Sequence, residues 1–163
     1  MRTEVELIVN GRSVRAAVEP RKSLLHLLRV ELGLIGTKEG CAEGDCGACV
    51  VLVDGKPINS CLLLALECEG REVTTIEGLG ATGELEPLQE AFIQAGAVQC
   101  GYCTPGMILA AKALLDRIPD PTPEDVKNAL VGHLCRCTGY AKILEAVQLA
   151  AQMSRSEGVL IDG

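Results

Sequence analysis

The stretch GTKEGCAEGDCGACVV, residues 36–51, brings Cys41, Cys46 and Cys49 together within nine residues of a glycine-rich segment. With Cys61 beyond them, the spacing is C-x4-C-x2-C plus a distant fourth cysteine, the pattern of a plant-type [2Fe–2S] centre. Three thiolates that converge from one short loop force the backbone to curl around what they bind. Gly40, Gly44 and Gly47, with Ala42 and Ala48, leave room for inorganic sulfide and let backbone N–H groups turn toward sulfur. A four-cysteine zinc site is the alternative. Zinc sites pair two short hooks, whereas here three ligands share one loop and the fourth stands alone. A Rieske centre needs two histidines in the loop, and neither His26 nor His133 lies there.

Around this loop the chain reads as mainly β up to about residue 76. Val5, Leu7 and Val9 alternate with outward positions, Asn10-Gly11 is a hairpin turn, and Val14, Ala16 and Val18 form the returning face. Ser23 is placed to cap a helix bearing Leu24, Leu25, Leu27, Leu28 and Leu32. Val50 to Val53 is a strand, Asp54-Gly55 opens a second hairpin, and Glu72 to Ile76 supplies another short strand. Two hairpins around one helix predict a β-grasp arrangement.

Residues 77–86, with Gly78, Gly80 and Gly83, read as a linker, after which the period becomes helical. Helices are expected over Pro87 to Ala95, from a Thr104-Pro105 cap, from a Thr122-Pro123 cap with Asp125 in capping-box position, and from about Tyr140 to Met153. The fold class is therefore α+β: residues 1–76 as one domain, 87–153 as a four-helix domain, and 154–163 as a mobile tail.

The helical half carries a second set, Cys100, Cys103, Cys135 and Cys137, spaced C-x2-C-x31-C-x-C. Two hooks also suit zinc, so this signal is weaker alone. Both hooks sit at helix boundaries, where free N–H groups and partial positive charge stabilise a thiolate-bound anion. Arg136 either adds to that field or is a solvated side chain. Cys68 reads as a small buried hydrophobe, His26 as a packing residue, and His133 as structural or surface.

The 163 residues include 48% hydrophobic but only 2% aromatic side chains, so the core must be aliphatic. The formal charge is -7 with thiols counted neutral, and each four-thiolate cluster adds about two negative charges. That acidity, with no Trp, argues against nucleic acid as a partner. The first ten residues lack a signal-peptide run, and no window reaches the length of a membrane span. A cytoplasmic location, where clustered thiols stay reduced and bind metal, is expected.

Together GTKEGCAEGDCGACVV, VQCGYCTPGM (98–107) and HLCRCTGY (133–140) resemble the small iron–sulfur subunit of the molybdenum hydroxylases. That group includes xanthine dehydrogenase, aerobic carbon monoxide dehydrogenase and 4-hydroxybenzoyl-CoA reductase. The resemblance spans about residues 3–153. It implies a β-grasp ferredoxin-like domain on Cys41, Cys46, Cys49 and Cys61, then a four-helix domain with a second [2Fe–2S] cluster on the other four cysteines. It also implies a large molybdopterin-binding subunit nearest the helical cluster and a medium FAD-binding subunit nearer the other, assembled as a dimer of heterotrimers. Gln99 and Cys137 would lie beside the pterin. Ala42 and His133 stand where the family commonly has glycine and asparagine. With no Rossmann-like glycine motif and no nucleophile–base pair, substrate chemistry must reside elsewhere. A free-standing two-cluster ferredoxin is the other functional reading.

Overall fold

A computed structural model describes residues 1–80 and 83–159 of the chain. Strands β1 (Thr3–Val9) and β2 (Arg12–Val18) pair antiparallel, with Val5 opposite Ala16 and Leu7 opposite Val14. Asn10 and Gly11 turn the hairpin with φ of 51° and 74°, the double left-handed step that matches strand twist. Asp54 and Gly55 do the same between β3 (Val50–Val53) and β4 (Lys56–Asn59). The short strand β5 (Glu72–Thr74) lies between the hairpins, parallel to β1 and antiparallel to β3. The result is one mixed sheet ordered β2-β1-β5-β3-β4.

Helix α1 (Leu24–His26) continues as a π-helical turn, Leu27–Glu31, and Ser23 Oγ accepts the His26 N–H as expected. Leu24, Leu27 and Leu28 pack with Val5, Leu7, Val18, Val51 and Val73 in a first core. That core is aliphatic, as the composition requires.

Helices α2 (Pro87–Gln94), α3 (Thr104–Arg117), α4 (Pro123–Ala129) and α5 (Ala141–Val159) enclose a second core. Its largest side chain is Phe92, packed among Met107, Ile108, Leu114, Ile143 and Val147. Thr122 caps α4 with the reciprocal Thr122–Asp125 box. Two helix ends differ from expectation. The cap of α3 is Cys103, one residue earlier than Thr104, because Cys103 already adopts helical φ and ψ. Helix α5 runs to Val159, past the expected end at Met153, since polar Ser154 to Glu157 break the apolar period without breaking the helix. Of the tail expected at 154–163, residues 160–163 lie outside the described residues, as do 81 and 82 of the expected linker.

Strand β3 is buried along its whole length. Val51 and Val53 face the first core, while Val50 and Leu52 pack on Leu109 of α3, with Leu79 and Ala113 alongside. The expected strand Glu72 to Ile76 stops at Thr74, and Ile76–Gly78 forms a 3-10 turn. From that turn Glu77 Oε1 accepts the Gly36 N–H at 2.6 Å, which anchors the start of the cysteine loop.

Candidate metal centres

The first loop is braced from several elements. Arg29 Nη1 donates to the carbonyls of Ile35 and Thr37, so the π-helical turn holds the loop's entry. Ser60 Oγ donates to Cys49 O, and Asn59 Nδ2 to Gly44 O, so the end of β4 holds its exit. Within the loop the backbone N–H groups of Glu43, Asp45 and Cys46 all point at Cys41 Sγ, at 3.3–3.4 Å. Those donors, the Glu43 N–H first, bring the Cys41 thiol down to about 7. A left-handed Ala42, φ 59°, helps wrap the chain around that sulfur. Cys49 and Cys41 both lie close enough to Cys61 to act on its thiol. Burial, and then the neighbouring Cys49, push Cys61 up to about 12.

In the second set the thiols also lie close together: Cys135 and Cys100 act on Cys103, and Cys100 and Cys135 on Cys137. Cys103 is pushed up to about 12 by burial and then by Cys135. Burial alone would raise Cys135, but the Thr138 hydroxyl and N–H and the Cys137 N–H outweigh it and bring Cys135 down to about 7. Tyr140 organises this loop. Its hydroxyl accepts the Cys135 N–H at 2.9 Å and donates to His133 O at 3.2 Å, while its own N–H bonds Thr138 Oγ1. It does so from a left-handed backbone, φ 70°, immediately before α5.

The two loops touch. Leu134 N donates to Cys46 O at 3.0 Å, and the Tyr102 hydroxyl donates to Glu39 O. A Cβ on Gly47 would fall 2.6 Å from Gly132 O, and one on Gly106 would fall 2.3 Å from Gly47 O. Only bare backbone fits at that crossing. A cavity of about 180 Å³ opens there, lined by Gly40, Cys46 and Ala48 from the first loop and by Cys103, Cys135, Arg136 and Cys137 from the second. Arg136 shares that lining with the cysteines but is itself exposed.

Four other expectations can be placed. His133 is buried with its ring against Gly47, which makes it structural, and both ring nitrogens lack a partner. Burial lowers its pKa, so the ring is held neutral. Cys68 is fully buried, its thiol raised to about 11 by burial. His26 is half-buried with Nε2 3.9 Å from Glu31 Oε1. Gln99 is exposed beside Cys100. Sequence reasoning missed Arg29, Asn59, Ser60, Glu77 and Tyr140. The Asn59-Ser60 pair directly before Cys61 was the one local signal available.

Residues 7–79 match the family model of the 2Fe-2S iron-sulfur cluster binding domain, and residues 75–148 that of the [2Fe-2S] binding domain. The chain is 51% identical over 148 residues to the nicotinate dehydrogenase small FeS subunit of Eubacterium barkeri, covering 91% of this chain and 94% of that one. It is 49% identical over 146 residues to the nicotine 6-hydroxylase small subunit of Paenarthrobacter nicotinovorans, covering 90% and 88%. The chain belongs to the small iron–sulfur subunits of the molybdenum hydroxylases. This small subunit is an electron-transfer component of an oxidoreductase, with two [2Fe–2S] clusters. Its backbone superposes on a chain of quinoline 2-oxidoreductase from Pseudomonas putida 86 with a TM-score of 0.91 and 41% identity, covering 95% of its own length and 97% of that chain. Among its described residues no helix is long and apolar enough to cross a membrane.

Proposed function

We propose that Cys41, Cys46, Cys49 and Cys61 hold one [2Fe–2S] cluster in a β-grasp, ferredoxin-like domain over residues 1–76. Cys100, Cys103, Cys135 and Cys137 hold the second in a four-helix domain over 87–153. The observation that carries this reading is a cradle built for thiolate: three backbone N–H groups converge on Cys41 Sγ, and the loops bearing the two sets meet around one cavity lined by Cys46, Cys100, Cys103, Cys135 and Cys137. Such hydrogen bonds favour the thiolates that a [2Fe–2S] cluster takes as ligands.

The surroundings fit that group. Gly40 leaves open the space beside Cys46 Sγ, where a Cβ would come within 2.7 Å. The three N–H donors at Cys41 and the Thr138 donors at Cys135 stabilise thiolate over thiol. Bound here, a [2Fe–2S] cluster supplies one-electron redox chemistry at a potential set by hydrogen bonds to sulfur, burial and charge. The chain's own part is to hold the two thiolate sets on either side of one backbone crossing, Cys46 O to Leu134 N.

By family membership, electrons run from a molybdopterin centre on a large partner subunit, beside Gln99 and Cys137, to FAD on a medium subunit nearer the first set. The assembly is a dimer of heterotrimers in the cytoplasm, where thiols stay reduced. The test is the reconstituted complex with Cys137→Ser. Substrate should still reduce the molybdenum centre while the flavin stays oxidised through many normal turnovers. Flavin reduction at the normal rate would remove the relay.

A further inference from the structure

Beside the first cysteine set lies a pocket of about 340 Å³ that includes Cys61 and Ala42 in its lining. Its other walls bring Arg21, Lys22 and Arg29 together against a single carboxylate, Glu39. Three cations in one concavity are unexpected on a chain of net charge -7, and cluster loading makes the surroundings more negative still. Elsewhere Arg2, Arg15, Arg71, Lys112, Lys127, Lys142 and Arg155 each pair with a carboxylate. Among the described residues, Arg21 and Lys22 have no such partner, and the Arg29 guanidinium is bound by two neutral carbonyls that leave its charge uncompensated.

The site is also rigid. Lys22 N donates to Glu19 O and Lys22 O accepts from Ala65 N, so the segment bearing both cations is tied to the chain on both sides. Apolar side chains stand exposed around it: Val30, in the pocket wall, is 64% exposed, and Leu62, next to Cys61, is 63% exposed. Cations in a concavity with an apolar rim form a surface that steers and orients an oppositely charged protein.

We propose that this pocket receives an acidic segment, a stretch bearing aspartate or glutamate, of the subunit that takes electrons beside the first cluster. The assignment rests on the relay reading above. It adds what holds the two subunits in register: one or two partner carboxylates against Arg21 and Lys22, within reach of the loop that carries Cys61.

A zero-length carbodiimide, which joins an amine to a carboxylate only when they touch, tests this on the intact native complex. Mass spectrometry should find Lys22 joined to an aspartate or glutamate of a partner subunit. Lys22 should also resist acetylation by an N-hydroxysuccinimide ester in the complex and react in the isolated chain. The double variant Arg21→Glu, Lys22→Glu should keep both cluster spectra but bind its partner about tenfold or more weakly at low salt, with the difference shrinking as salt is raised. If Lys22 in the intact complex is acetylated as fast as in the isolated chain, the docking assignment is overturned. The same follows if the double variant assembles with unchanged salt dependence. Either result leaves the relay standing so long as substrate still reduces the flavin. Loss of the relay would instead show as normal flavin reduction in Cys137→Ser.

Discussion

Replacing Gly106 by alanine sets two effects against each other. Gly106 is buried in the first turn of α3, between the Cys103 cap and the helix body. Helix propensity alone favours alanine by at most about 1 kcal/mol. The structure opposes it: the new Cβ would lie 2.3 Å from Gly47 O, against 3.4 Å or more for an ordinary contact. Helix and loop must separate by about 1 Å, and the obstacle is a backbone carbonyl that cannot rotate away. Overpacking of this kind costs about 1–3 kcal/mol, and a backbone neighbour places it at the upper end. The clash therefore wins, leaving a net loss of about 1–2 kcal/mol. For a chain of this size that lowers the midpoint by several degrees, at about 2–4 °C per kcal/mol. The same separation stretches the Leu134 N to Cys46 O bond and should broaden both paramagnetic signals. Thermal unfolding of the loaded protein at fixed scan rate, followed by visible absorbance, reads the first effect, and low-temperature resonance reads the second. A variant that unfolds at or above the wild-type temperature with unchanged spectra would falsify the crossing as described.

Cys46→Ser should abolish or badly perturb the first cluster's signal and leave the second; loss of both from folded protein would contradict separate sites. Tyr140→Phe removes the acceptor of the partly buried Cys135 N–H, at a cost of about 1 kcal/mol for the lost hydrogen bond. It should alter the second signal alone, and an unchanged g-tensor and midpoint would show the hydroxyl to be idle. In the metal-free chain, Cys41 and Cys135, both near 7, stay thiolate above that pH and lose the charge as pH falls through it. Iodoacetamide at about pH 8 should label those two well before Cys61 and Cys103, both held near 12; equal rates at all four would refute the local hydrogen-bond account.

Both hairpin turns and the helices were legible in the sequence, because each is specified within a few residues. The left-handed pairs at Asn10-Gly11 and Asp54-Gly55 and the Thr122–Asp125 box are all local, as is the cysteine spacing in residues 41–49 on which the proposed first site rests. Local rules erred where structure continues without a periodic signal, as in α5 beyond Met153, or where a turn starts early, as at Cys103. Other features were decided only by the tertiary structure. The insertion of β5 between β1 and β3, the burial of Val50 and Leu52 on Leu109, and the seating of His133 on Gly47 join residues far apart in the chain. So do the Arg29 and Glu77 braces and the gathering of Arg21, Lys22 and Arg29 beside Cys61. No spacing encodes such contacts. They arise because a strand buried on both faces must be covered from both sides, and covering β3 with α3 brings the two cysteine loops into contact.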